Sequence, residues 1–278
     1  MKNAILIFLF CSTALSGFAQ NIFNTPTTQR KGQIFFYWGY NRAAFTKSDI
    51  RFLGTDYDFT LSKTIAHDRQ TPFEAKLYFG LETLTIPQYN IRFGYFLKDN
   101  LSVSFGTDHM KYVVDEGQTV KISGRIANSG RAEYDKTYNN NDIVIKPDFL
   151  AFEHTDGLNY FNADVRRYQD IVHKKNLNIS LSEGFGIGGL LPRTNTTLLN
   201  NQRYDEFHLA GFGTNILASL KVDFYKYFFF QTELKGGYIN MPDIRTTLSP
   251  TDKAKQRFFF TQVNMLFGFN FNVKKKKS

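Results

Sequence analysis

The sequence has a single cysteine, Cys11, few prolines and no apolar run of about 18 residues or more. A membrane-spanning helix needs such a run, so the chain is not a helical membrane protein. Because 42% of the residues are apolar and 21% are charged, the composition also excludes a disordered tail or a low-complexity chain. The classes that remain are a soluble globular protein and a membrane β-barrel, whose strands show only alternate residues to lipid.

The N-terminus has the three parts of a secretory signal peptide. Lys2 supplies the positive start, a twelve-residue apolar stretch follows, and Gly17 and Ala19 are the small residues that signal peptidase reads. We expect cleavage after Ala19, so that residues 1–19 are removed. Because Cys11 lies in that segment, the mature chain is expected to have no disulfide, no thiolate metal site and no cysteine nucleophile.

The formal net charge of +9 does not indicate a nucleic-acid partner. Lys2 and the four lysines from Lys274 to Lys277 account for five positive charges, which leaves +4 over the rest of the chain. A nucleic-acid interface requires a basic patch with interleaved aromatic residues, whereas a charge run at a terminus is typically solvated. We therefore interpret residues 274–278 as a basic C-terminal tail and expect no nucleic-acid partner.

Aromatic residues are abundant, with 30 Phe and 15 Tyr, and many of them recur at every second position. The clearest case runs from Thr261 to Val273, where odd positions are mainly apolar and even positions are mainly polar or small. Such alternation predicts a strand with one apolar and one polar face. Strands in soluble sheets usually have about five or six residues, whereas a tilted membrane strand needs about 9 to 11.

The same alternation predicts three hairpins and eight strands in total. Their short turns alternate with four longer segments at roughly 43–86, 113–157, 192–206 and 241–256. Short turns on one side, long loops on the other and an even strand number form the plan of an outer-membrane barrel. We expect an all-β, antiparallel up-and-down barrel over residues 20–273, with both termini in the periplasm and long extracellular loops at 43–86 and 113–157. Strand-like stretches in these two loops form hairpins above the membrane, or add a pair to make ten strands.

Together, the signal peptide, the alternating strands, the aromatic-rich last strand and the loop asymmetry resemble the small Gram-negative outer-membrane β-barrel proteins of OmpA/OmpX-like architecture. The resemblance extends over essentially all of the mature chain and implies an outer-membrane location. It is architectural, so it assigns no functional residue. The expected partners are outer-membrane lipid and lipopolysaccharide, with an unidentified extracellular ligand left open, and the protein is expected to be a monomer.

Alternation places a set of charged residues on the inward face of the strands. Eight strands enclose an interior just wide enough for side chains to fill. We therefore expect a network of paired charges that plugs the barrel and leaves no open channel. Its predicted members are Arg92, Asp164, Arg166, Glu233 and Lys235.

Three glycines on the inward face, Gly184, Gly186 and Gly188, leave room for a large side chain from across the lumen. A glycine-rich nucleotide loop would be followed by a helix, but a proline at position 192 comes soon afterwards, so no cofactor is expected. Glu183 falls on the lipid face by strict count, where a charge is costly. We expect a β-bulge beside the glycines to turn it inward.

Four of the five histidines fall at predicted extracellular strand ends or loops with an acidic residue nearby: His67, His109, His154 and His208. Histidine beside a carboxylate is what general-base or metal chemistry requires. By parity Asp108, His154 and Asp156 face inward on adjacent strands, which makes them the candidates for a catalytic site. The chain has no His-x-x-x-His pair and spacing identifies no serine nucleophile, so we expect no metal site, and a hydrogen-bonded foundation for the loops is the alternative.

The sequence is consistent with three functions. The first is a non-enzymatic outer-membrane protein whose barrel anchors two large surface loops for binding or for envelope structure. The second is a lipid hydrolase or acyltransferase that acts at the barrel rim. The third is a small-solute channel, which would require ten or more strands to close.

Overall fold

The computed structural model describes residues 28–80, 82–201 and 204–272. The predicted signal peptide and basic tail lie outside these residues. The described chain contains one short helix, α1 (Ala75–Phe79), and no helix in it is long and apolar enough to cross a membrane. Its strands are β1 (Gln33–Phe45), β2 (Ser48–Leu53), β3 (Tyr57–Thr64), β4 (Ala66–His67), β5 (Tyr89–Lys98), β6 (Leu101–Val114), β7 (Thr119–Ile126), β8 (Lys136–Val144), β9 (Leu150–Lys174), β10 (Leu177–Leu190), β11 (Arg193–Leu198), β12 (Tyr204–Phe207), β13 (Gly211–Phe224), β14 (Phe228–Arg245) and β15 (Lys253–Asn272).

Eight antiparallel strands of the described chain form a closed ring in the order β1, β5, β6, β9, β10, β13, β14 and β15. The ring closes because β1 pairs with β15 along its whole length, from Gln33 opposite Asn272 to Phe45 opposite Phe260. Eight strands in the ring is the number that the alternation predicts. The extra strands of the two long loops stay outside the ring, so the ten-stranded alternative is wrong.

Each wall of the ring has one apolar and one polar face, because successive side chains of a strand point to opposite sides. Along β15, for example, Val263, Met265 and Phe267 are at least half exposed, whereas Gln262 and Asn264 between them are buried. Large apolar side chains cover the outside in the same way on the other strands. This outward surface is the apolar band that a membrane barrel turns toward lipid.

The two long segments, together with β11, β12 and the upper ends of four ring strands, form a structured head above the ring. In the head, β2 pairs with the upper end of β15, β3 with β2, β7 with β3, and β8 with β7. The inner face of this sheet packs into a hydrophobic core against the upper ends of ring strands; its members include Phe52, Phe59, Leu61, Ile122, Tyr112, Phe152 and Phe258. We use "head" for β2, β3, β4, β7, β8, β11 and β12, the upper ends of β6, β9, β14 and β15, and the described segments that connect them.

Glu183 does not turn inward, and the expectation of a bulge beside it is wrong. The irregularity in the pairing of β9 with β10 falls nearer the turn, between Ile179 and Ser180. Alternation then continues unbroken, so Glu183 is exposed on the outer wall directly opposite Arg167 of β9. The nearby opposite charge makes an outward carboxylate less unfavourable than an isolated one.

Candidate functional site

The middle of the lumen holds a compact network of ion pairs. Arg166 lies 2.5 Å from Glu233 and 2.7 Å from Asp164, and Arg92 lies 2.9 Å from the same Asp164 carboxylate. Lys235 lies 3.7 Å from Glu233, which joins it to the same cluster. The structure thus brings together all five residues that parity assigned to the lumen network, and their side chains are fully buried.

The inward glycines of β10 create the space for this network. A Cβ atom at Gly186 would lie 2.0 Å from the Asp164 carboxylate, and one at Gly184 would lie 3.1 Å from Cγ of Arg166. These glycines therefore leave room for charged side chains from the neighbouring strand β9, rather than for a large side chain from across the lumen as expected.

Asp108 is a sixth member of the lumen network, although the sequence predicts it as a catalytic candidate. It lies 2.6 Å from Lys235 and accepts a hydrogen bond of 2.5 Å from Asn90. With Asp108, three carboxylates face three cations in the middle of the lumen. A buried charge is tolerated when it is paired and hydrogen-bonded, so this balance explains how the barrel interior accommodates six of them.

A second layer of ion pairs closes the end of the lumen near the short turns. Arg30 pairs with Asp170, and Lys221 lies 2.7 Å from Asp223. The ammonium group of Lys221 also lies 4.1 Å from the ring centre of Phe229, within the range of a cation–π contact. The sequence predicts neither pair. Parity along β9 could have found Asp170, but Arg30 precedes the first strand and carries no periodic signal.

The three residues proposed as a catalytic site are not brought together. His154 is buried in the head, with its Nδ1 atom 2.9 Å from the hydroxyl of Thr194, whereas Asp108 lies in the lumen network. Asp156 does not face inward: its carboxylate is about half exposed and lies 3.5 Å from Arg193. The register between β6 and β9 shifts at this point, which turns Asp156 out of the lumen.

The other rim histidines have separate partners. His67 lies 2.5 Å from Asp115 and His208 lies 2.9 Å from Asp243, while His109 lies 2.9 Å from Asn159. Within the described residues no three His, Cys, Asp or Glu side chains are grouped so as to hold a metal ion. The rim histidines therefore form local contacts within the head and the barrel mouth.

Burial of His154 in the head predicts a pH-dependent stability. Desolvation lowers the pKa of its imidazole to about 3, from an ordinary value of about 6.5. Below pH 6.5 the unfolded chain therefore binds a proton that the folded head excludes, so stability present above pH 6.5 is lost as the pH falls toward 3. We expect a loss of about 2 kcal/mol between pH 6.5 and pH 5 from this group.

The measurement is urea unfolding of the head between pH 7 and pH 5, followed by near-UV circular dichroism. His154→Gln keeps a polar side chain for Thr194 but does not titrate, so this part of the pH dependence should disappear in the variant. An equal slope in the wild type and the variant would show that His154 is not the responsible group.

No protein-family model and no curated protein matches the chain. Solved structures do match. Ail of Yersinia pestis is 10% identical, with a TM-score of 0.35 over 87% of this chain and 99% of its own. OprG of Pseudomonas aeruginosa is 8% identical, with a TM-score of 0.41 over 90% and 100%. The outer-membrane protease OmpT of Escherichia coli is 8% identical, with a TM-score of 0.23 over 88% and 99%.

At these identities and scores the matches say nothing about activity. The class of the protein follows from the structure of the ring itself. A closed antiparallel ring with an apolar outer face and a charged inner face is the architecture of an outer-membrane β-barrel. The prediction of a small outer-membrane barrel is confirmed at the level of the fold.

Proposed function

We propose that this outer-membrane barrel is a non-enzymatic protein that holds a folded head at the cell surface, for binding or for envelope structure. The observation that supports the proposal most directly is a lumen filled by paired charges beneath a head with its own hydrophobic core. The barrel then serves as an anchor, and the surface available to other molecules is that of the head.

The lumen argues against a channel. Arg92, Arg166 and Lys235 project into the same narrow interior, and each lies within 4 Å of two carboxylates. The guanidinium of Arg166 also donates a hydrogen bond of 2.9 Å to the hydroxyl of Tyr37 on β1, across the lumen. Solute passage would require these contacts to break together.

The head supports a surface role, because its segments form paired strands with a hydrophobic core of their own. β3 from the first long segment pairs with β7 from the second, so both segments belong to one sheet. On its outer face Arg51 binds Asp58 through two hydrogen bonds of 2.8 and 2.7 Å. A rigid, polar surface of this kind is suited to recognition, since little conformational entropy is lost on binding.

Two measurements test the proposal. Purified protein reconstituted in a planar bilayer should show no steady conductance, and phospholipid vesicles incubated with it should keep their lipid composition by mass spectrometry. Steady conductance would support the channel instead. Loss or transfer of an acyl chain that His154→Gln abolishes would support the rim-active hydrolase or acyltransferase.

A further inference from the structure

The outer wall formed by β14, β15 and β1 changes from apolar to cationic at its upper end. Tyr238 of β14 lies opposite Phe259 of β15, with ring centres 5.2 Å apart. The next outward position on β15 is Arg257, which lies opposite Asn240. Membrane barrels carry girdles of aromatic residues at both membrane interfaces. Tyr238 and Phe259 are the last outward aromatic residues of β14 and β15 before the head, so Arg257 is placed at or just above the level of the lipid headgroups.

A groove of about 410 Å³ lies at this junction, bordered by Lys47, Arg257, Tyr238 and Phe259. The backbone holds Lys47 in place, because the amide of the preceding residue, Thr46, donates a hydrogen bond of 2.9 Å to the carbonyl of Phe259. The groove therefore combines two cationic side chains with an aromatic floor.

The two cations of the groove are available for a ligand. Within the described residues neither Lys47 nor Arg257 forms a hydrogen bond or an ion pair, and both are exposed. Asp49 also borders the groove, but its carboxylate accepts a hydrogen bond of 2.8 Å from the backbone amide of Lys63. Several other cations of the head are paired, among them Arg51 with Asp58, Lys121 with Asp142 and Lys253 with Asp243.

The wall beneath the aromatic pair is unusually open. Gly236, Thr261 and Ala44 lie side by side on β14, β15 and β1, and all three point outward. A Cβ atom at Gly236 would meet only one neighbour, the carbonyl of Phe260 at 3.8 Å, so the backbone does not require glycine there. The small side chains leave a shallow surface depression that continues downward from the groove.

We propose that this wall binds the phosphorylated glycolipid of the outer leaflet, the lipid A part of lipopolysaccharide. Its phosphate lies between Lys47 and Arg257, where an ammonium and a guanidinium group form charge-assisted hydrogen bonds. One of its acyl chains lies over Gly236 and Thr261. The inference rests on the proposed surface orientation, in which the long segments and the head are outside the cell.

The test is native mass spectrometry of the refolded barrel in detergent with lipid A. The double variant Lys47→Gln/Arg257→Gln should carry at least fivefold less lipid A than the wild type, and lipid A stripped of its phosphates should bind the wild type equally weakly. The control Arg125→Gln/Lys146→Gln removes one arginine and one lysine that are exposed elsewhere in the head, and it should bind as the wild type does.

A third variant, Gly236→Leu, fills the surface depression beneath the groove and should reduce lipid A binding without removing charge. Inorganic phosphate should not displace the lipid; if it does so at millimolar concentration, the acyl part of the proposal is wrong. Equal binding by the wild type and the double variant, or equal loss in the control, would overturn the site.

Failure of the site can be distinguished from failure of the proposed function. All variants should give the heat-modifiable gel band of a closed barrel. A wild-type barrel that folds but binds lipid A independently of Lys47 and Arg257 refutes the lipid site alone. A wild-type protein that conducts ions or modifies lipids refutes the proposed function, whatever its lipid binding.

Discussion

Glu233→Ala is expected to lower the free energy of unfolding of the barrel by about 3 to 5 kcal/mol, because it removes one partner of a buried ion pair and leaves the other without compensation. Glu233 lies 2.5 Å from Arg166 and accepts hydrogen bonds of 3.0 Å from Asn264 and 3.1 Å from Gln231. Without it, Arg166 must share the single carboxylate of Asp164 with another arginine, and the middle of the lumen gains a net positive charge.

The matched variants separate charge from size. Glu233→Gln keeps the volume and part of the hydrogen bonding, so its loss of stability should lie between those of alanine and the wild type. Glu116→Ala is the control, since Glu116 is exposed in a turn of the head and forms no hydrogen bond or ion pair within the described residues. Urea unfolding in vesicles, followed by the heat-modifiable gel band, gives the three values. If Glu233→Ala and Glu116→Ala unfold at the same urea concentration, the lumen is hydrated and the plugged interior is wrong.

The lumen network could be predicted from the sequence because a strand has only two faces. Once the apolar positions of β14 are assigned to lipid, Glu233 and Lys235 must point inward. The same parity places Asp164 and Arg166 of β9 inside. Closure of eight strands around a narrow lumen then forces these side chains into contact, so their pairing follows without knowledge of individual distances.

The head could not be predicted to the same depth, because its pairings are not local. β3 and β7 lie in separate long segments, and nothing in the alternation of either indicates that they are partners. Parity also fails where the register shifts. The irregularity between β6 and β9 places Asp156 outside, and the absence of one at Glu183 keeps that residue on the outer wall.

The head and the lumen network share strands, so the part of the protein proposed as an anchor is continuous with the part proposed as a binding surface. β14 runs from Phe228 at the short turns, past Glu233 in the lumen network, to Ile244 in the hydrophobic core of the head. β15 continues in the same way from Asn272 to its pairing with β2. A rigid lumen therefore holds the base of the head at a fixed position, and we expect loss of the network to reduce the order of the head as well.

Ile216→Arg is expected to cost about 2 to 4 kcal/mol, since Ile216 lies on the outer wall of β13, within the apolar band, and a cation near the bilayer midplane costs that much in a membrane barrel. The control is Leu248→Arg in the head. The two side chains are equally exposed, at 68% and 64%, so in water neither arginine would be costly.

The two environments differ only if a bilayer surrounds the ring. We therefore expect Leu248→Arg to unfold as the wild type does in vesicles, while Ile216→Arg unfolds at a clearly lower urea concentration. In detergent above its critical micelle concentration the difference should narrow, because a micelle deforms around an arginine more readily than a bilayer does. Equal stability of both variants in vesicles would show that the apolar wall around Ile216 does not face lipid, and the assignment of the outer face of the barrel would fail with it.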